Sequence, residues 1–306
     1  MSAMGSFKDE LTQMARGWRW SRRTLTPRTA EEHTPVREPW TFPTDWARTP
    51  AATTVREGLL KLGMWPLLKL ETSPEVHGLD LLEGERGPVL FVSNHSSHLD
   101  ASIIMATLPS KWLRSTAVGA AKDYFFDVWW RQAFTALVYA GFPIDRAAGV
   151  GKATATARSL LEDGWSIVVF PEGARSPDGW MQRFRHGAAR LAIEMQVPVV
   201  PIGIRGAHSA MPKGRFWPRP GRPVISVRYG APIRPVDGET HQELSKRMTQ
   251  AIAALHDEDR SNWWESMRRA EGQQTPSLAG PRGPGWLRSW EGSRPVARRG
   301  PKKTWR

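Results

Sequence analysis

The residues with the clearest chemical potential are His95 and Asp100, in the stretch Ser93-Asn94-His95-Ser96-Ser97-His98-Leu99-Asp100. The apolar run Val89–Ser93 before it has strand length, and Ala101–Leu108 after it reads as a buried helix. A histidine at a strand's end and a carboxylate near the next helix start can face each other across a tight turn. The carboxylate would fix the imidazole's tautomer, leaving a general base that works near neutral pH. An ordinary surface turn is the other reading of this stretch, and His98 is a second imidazole near the same carboxylate.

Three further stretches share this strand-then-turn form. Val169-Phe170-Pro171-Glu172-Gly173-Ala174-Arg175-Ser176 ends an apolar strand in a turn that presents an arginine. A planar guanidinium there suits bidentate binding of phosphate or carboxylate; taken alone, the stretch reads first as a plain β-turn with a surface arginine. Gly141-Phe142-Pro143-Ile144-Asp145-Arg146 places another arginine after a short strand. Val197-Pro198-Val199-Val200-Pro201-Ile202-Gly203 is apolar and reads as wall.

The elements that must position these groups alternate along the chain. Strand-like runs recur at 89–93, 116–119, 142–144, 166–170, 197–204 and 224–229. Helical stretches fall at 101–108, 125–140, 152–162 and 187–194, and Thr240–His256 closes the series. The expectation is an α/β fold with a mostly parallel central sheet flanked by helices. In such sheets, sites lie at the carboxyl ends of the strands, where the His95 turn falls.

Four segments follow from composition: an irregular basic and aromatic arm (1–50), an amphipathic helical segment (51–74), the main domain (75–258) and a disordered basic tail (259–306). Val55–Leu70 interleaves Leu and Trp with Arg56, Lys61 and Lys69, breaks near Pro66, and suits either an interfacial helix or packing on the domain. The aromatic stretch 124–142 holds Asp127 and Arg131, each costing about 2.5–3.5 kcal/mol at a bilayer centre, so a groove or interfacial dip is expected instead of a span.

The 306 residues carry 43 Lys and Arg against 30 Asp and Glu, a formal charge of +13, which points to an acidic partner. The 16 Trp against 3 Tyr favour a membrane–water interface. With no cysteine, thiolate nucleophiles and disulfides are excluded. His95-x-x-His98 lacks the further ligands a metal would need, so no metal is expected.

Taken together, the four stretches resemble the four sequence blocks of the glycerolipid acyltransferase superfamily, typified by 1-acylglycerol-3-phosphate O-acyltransferases, over about 88–204. Block one is Asn94, His95 and Asp100; block two ends in Arg146; block three is the Phe-Pro-Glu-Gly stretch, with Ala174 where Thr is usual. The resemblance implies His95 as general base, Asp100 as its partner, and Arg146, Glu172, Gly173 and Arg175 at the acceptor site, with Lys122 as a further basic candidate. It implies transfer of an acyl group from acyl-CoA or acyl carrier protein, with no other cofactor, to a lysophospholipid. The first acceptor considered is 1-acylglycerol-3-phosphate; a lyso-ornithine lipid or a glycolipid is the alternative. The expected place is peripheral, at an anionic membrane surface on the cytoplasmic face. A non-catalytic protein binding membrane or nucleic acid on the same scaffold is the competing class. Nucleic acid is not the expected partner.

Overall fold

Three strands are apolar on both faces, and these form the middle of the sheet. β2 (Leu90–Ser93) and β5 (Ser166–Val169) are buried at every position, and β6 (Val199–Arg205) at all but its last. Near-continuous burial of this kind belongs to parallel strands covered on both sides. The structure, a computed structural model, describes residues 44–121, 129–144 and 150–296, all within one compact unit, residues 39–306.

The remaining strands are β1 (Ser73–His77), β3 (Thr116–Ala121), β4 (Phe142–Ile144) and β7 (Val224–Tyr229). Among the described residues the sheet has seven strands in the order β1-β7-β6-β2-β5-β3-β4. All neighbours are parallel except β6 and β7. The expected mostly parallel sheet is therefore present.

Alternation along the strands sends side chains to two cores. Phe91, Val168, Val200 and Ile202 face one, with Ile103, Ile104 and Leu108 of the first covering layer. Leu90, Val92, Ile167 and Val169 face the other, with Leu160, Leu191, Met248 and Ile252. The first layer holds α1 (Pro50–Gly58), α2 (Trp65–Glu71) and α3 (Leu99–Thr107), followed along the chain by α4 (Trp129–Tyr139). The second holds α5 (Val150–Glu162), α6 (Gly187–Met195) and α7 (His241–Arg260).

The helix of the 51–74 segment runs on from Pro50 to Glu71 where a break near Pro66 was expected. A π-helical stretch, Leu59–Met64, joins α1 to α2, and Pro66 sits in the first turn of α2, where its missing N–H costs nothing. The stretch has a cause in the burial pattern. Ala52, Arg56, Leu60 and Leu68 are buried, with Met64 half-buried between them, a repeat of four. At 3.6 residues per turn such a repeat drifts about 40° at each step. A wider turn holds the stripe against the sheet.

Two of the cations read as interfacial are spent internally. Arg56 is fully buried and donates to the carbonyls of Leu137 (2.7 Å), Ala136 (3.4 Å) and Ala47, closing the end of α4. Lys61 donates to Ala106 (3.0 Å) and Leu108 (2.6 Å), closing the end of α3. The outer side keeps Leu62 and Leu70 strongly exposed.

Two elements differ from the sequence reading. β1 begins at Ser73, ahead of the expected domain start at 75; it is a half-exposed edge strand with no apolar run to mark it. The tail without structure does not begin at 259. α7 runs on to Arg260, and α8 (Trp263–Glu271) and α9 (Gly285–Gly292) follow it. Asn262 caps α8 by accepting the Glu265 N–H at 3.0 Å, and Arg269 pairs with Asp257 of α7 at 2.6 Å. The first 43 residues, 122–128, 145–149 and the last ten lie outside the described residues.

Candidate active site

β2 and β5 are hydrogen-bonded neighbours with Val92 opposite Val169. His95 and Glu172 therefore lie three residues beyond paired positions, at the carboxyl ends of adjacent strands. Sheet register brings the two turns together.

Within the first turn, Asp100 is fully buried at the start of α3. Its Oδ2 accepts the Ser96 N–H at 2.7 Å, the Ser97 N–H at 2.8 Å and the His95 Nδ1–H at 2.9 Å. Three donors thus converge on one oxygen of a carboxylate in the first turn of α3. With Nδ1 donating, Nε2 is the basic nitrogen of His95. The ring stacks on Phe170, centroids 4.1 Å apart, and its side chain is 20% exposed, enough for a hydroxyl to reach it.

Asn94 braces the turn from the other neighbour. It exchanges two hydrogen bonds with the backbone of Ile204 in β6, at 2.8 and 2.9 Å. His256 Nε2 lies 3.3 Å from its Oδ1.

Glu172 reaches across between the turns. Its Oε1 accepts the His95 N–H at 2.7 Å and its Oε2 the Gln182 N–H at 2.8 Å. Burial pushes its carboxyl up to about 8 despite both donors. Ser176 N–H returns to the His95 carbonyl at 2.8 Å. Gly173 is left-handed at φ +74°, and a Cβ there would come within 2.8 Å of Arg185 Nε, so the guanidinium of Arg185 lies against this turn. Phe170 opens the third sequence block without a role assigned to it there, and nothing in the sequence pattern had singled out Arg185 or Gln182.

The structure thus gathers His95, Asp100, Glu172, Gly173 and Arg175. Asp100 pairs with His95, not with His98. Burial first, then the neighbouring Arg175 and His95, drives the His98 imidazole down to about 4, so it stays neutral. Arg146 and Lys122 lie outside the described residues. Among the described residues, no group of three or more His, Asp or Glu side chains is arranged to hold a metal ion.

This paired imidazole and carboxylate, with a guanidinium on the adjoining loop, is the constellation the four sequence blocks led to. Residues 73–205 match the family model described as Acyltransferase, the interval from the first residue of β1 to the last of β6. These residues form an acyltransferase domain. The acyltransferase domain is similar to 1-acyl-sn-glycerol-3-phosphate acyltransferase of Limnanthes alba, 34% identical over 155 residues, 48% of this chain and 51% of that protein. It is likewise 34% identical over 145 residues to the Mus musculus 1-acyl-sn-glycerol-3-phosphate acyltransferase alpha, covering 46% of this chain and 48% of that one. The chain spans about half the length of these relatives. The crystal structure of the 1-acyl-sn-glycerophosphate (LPA) acyltransferase PlsC from Thermotoga maritima shares the fold, with TM-score 0.57 at 24% identity over 72% of this chain and 83% of that one. β7 and α7 follow the matched interval and complete the acyltransferase domain's sheet and second layer.

Proposed function

We propose that the protein transfers an acyl group from acyl-CoA or acyl carrier protein to the free hydroxyl of 1-acylglycerol-3-phosphate, giving phosphatidic acid. The observation that carries the reading is the His95–Asp100 pair set beside the Glu172–Arg175 loop. The acceptor hydroxyl attacks the thioester carbonyl as its proton passes to His95 Nε2. Asp100 stabilises the imidazolium so formed. As the C–S bond breaks, His95 returns the proton to the departing sulfur. The substrate supplies the nucleophile, so no acyl-enzyme is needed. Arg175 binds the acceptor phosphate, joined by Arg146 and Lys122, while Glu172 and Gly173 set the turn that presents Arg175.

The reaction takes place at an anionic membrane surface, on the cytoplasmic face, with the protein peripheral. Exposed Leu59, Leu62 and Leu70 on the 51–74 segment support contact with the apolar boundary. No described helix is long and apolar enough to cross a membrane.

The test is product formation by mass spectrometry, with purified protein, anionic vesicles, lysophosphatidic acid and either donor. Phosphatidic acid from the wild type and not from folded His95→Ala supports the reading. Equal product from both removes His95 as base. Product only with a lyso-ornithine lipid or glycolipid moves the acceptor.

A further inference from the structure

After α8 the chain returns to the candidate site and is clamped onto the loop that follows Glu172. The Met181 N–H donates to the Leu278 carbonyl at 3.0 Å, and Trp180 Nε1–H to the Arg288 carbonyl at 3.0 Å. The Arg288 guanidinium holds three acceptors. Nε donates to Asp178 Oδ2 at 2.8 Å, Nη1 to the Pro281 carbonyl at 2.9 Å, and Nη2 to the Ala279 carbonyl at 3.0 Å. One side chain therefore folds the C-terminal segment on itself and fastens it to residue 178. The backbones touch as well: a Cβ on Gly292 would stand 1.9 Å from the Asp178 carbonyl oxygen.

From Asp178 the connection runs inward. Its Oδ1 accepts the Ser176 hydroxyl at 3.1 Å and the Trp180 N–H at 3.2 Å. Ser176 N–H holds the His95 carbonyl, and Arg175 immediately precedes that anchor, after the Glu172–Gly173 turn and Ala174. The ion pair is largely shielded, its side chains 28% and 17% exposed, so it is worth more than a fully solvated surface pair.

We propose that Arg288 is a positioning residue, fixing through Asp178 the loop 173–182 that presents Arg175 to the acceptor and ties back to His95. The kinetic part of this rests on the reaction proposed above. A part of the chain outside the matched acyltransferase interval thereby sets the geometry of the acceptor side.

The full chain is compared with Arg288→Ala, Asp178→Asn, the double variant, and Arg294→Ala, which lies on the same segment against Trp290. Amide hydrogen exchange over 174–182 accelerates about tenfold or more in Arg288→Ala, the size of one lost charge-assisted hydrogen bond, and is unchanged in Arg294→Ala. The KM for lysophosphatidic acid rises about tenfold and the donor KM does not move. The double variant is no worse than the poorer single one over 174–182, since the contact that both substitutions break is the Arg288–Asp178 pair. Asp178→Asn keeps the Oδ1 acceptor, so it carries the test if Arg288→Ala does not fold. Unchanged exchange over 174–182 overturns the proposal, as does a lower melting temperature with every KM unaltered. A wild type that makes no acyl product sinks the proposed reaction instead, and the exchange comparison still decides whether Arg288 fixes the loop.

Discussion

Glu172 holds His95 by its backbone: the carboxylate accepts the His95 N–H at 2.7 Å, while its other oxygen accepts the Gln182 N–H at 2.8 Å. One buried side chain thus joins the ends of β2 and β5 to the start of the chain leading into α6. Its position costs charge solvation, and burial raises its carboxyl to about 8. The folded state then keeps a proton that the unfolded chain releases at ordinary carboxylate pH, so stability falls as pH rises toward 8. Between about pH 6.5 and 8 the slope is up to ~1 kcal/mol per unit from this group. Chemical denaturation across that range shows a shallower slope in Glu172→Gln. An unaltered slope refutes the buried-proton account.

The acid side runs the other way. Burial takes His98 down to about 4 and His256 to about 3. Both are neutral in the folded protein and gain a proton on unfolding below about pH 6.5, so stability drops as pH falls from there. His208, also lowered by burial, adds to the same limb, so the histidines oppose the slope of Glu172 in the shared range. His256→Gln flattens the acid limb in the same denaturation series; a limb as steep as the wild type's counts against it.

Between the two imidazoles of the first block, only His95 meets the buried carboxylate. His95→Ala lowers kcat by about 10²–10⁴-fold, the range for a lost general base, while the fold persists. His98→Asn retains a base and a paired Asp100 and stays within about tenfold of the wild type, as removal of a non-reacting neighbour should. Acyl-transfer rates of the two folded variants decide; similar losses in both remove the distinction.

How much of this was legible depended on sequence distance. His95 and Asp100 sit in one local turn, so spacing alone could bring them together. The sheet was legible too, because β2, β5 and β6 are apolar on both faces. Glu172 was visible as a turn residue, but its grip on His95 needs β2 and β5 to be neighbours, which no local pattern states. β1 is hidden because Ser73–His77 is half-exposed and broken by Pro74. Arg288 meets Asp178 across 110 positions in a segment whose composition resembles a solvated tail. Its structure comes from individual caps and pairs, not from a periodic apolar face.

Arg56 illustrates the same gap and carries a stability prediction. In sequence it punctuates a helix like an interfacial cation; in the fold it is buried against the end of α4. Burial and the nearby Arg48 lower its pKa to about 10, so it stays charged at neutral pH and serves three carbonyls. Arg56→Met leaves those carbonyls unpaired and costs about 3 kcal/mol. Denaturant midpoints check this, and a loss below about 0.5 kcal/mol, typical of surface sites, refutes the buried cap.

With Arg56 and Lys61 committed inward, the membrane contact proposed above for the 51–74 segment falls to its exposed leucines and Lys69. Leu62 and Leu70 are 83% and 68% exposed, so neither contributes much to the core. Inserting a leucine side chain into an apolar boundary gains about 1.5–3 kcal/mol, roughly tenfold or more in partitioning per residue. Leu62→Glu with Leu70→Glu therefore weakens binding to anionic vesicles by about a hundredfold or more on that scale. The melting temperature holds within a degree or two, since the replaced groups already face solvent. Arg56→Met should do the reverse, lowering stability while the folded fraction still binds vesicles. Vesicle co-sedimentation beside thermal unfolding separates the two effects. Undiminished sedimentation of the double glutamate variant would show that another surface makes the contact.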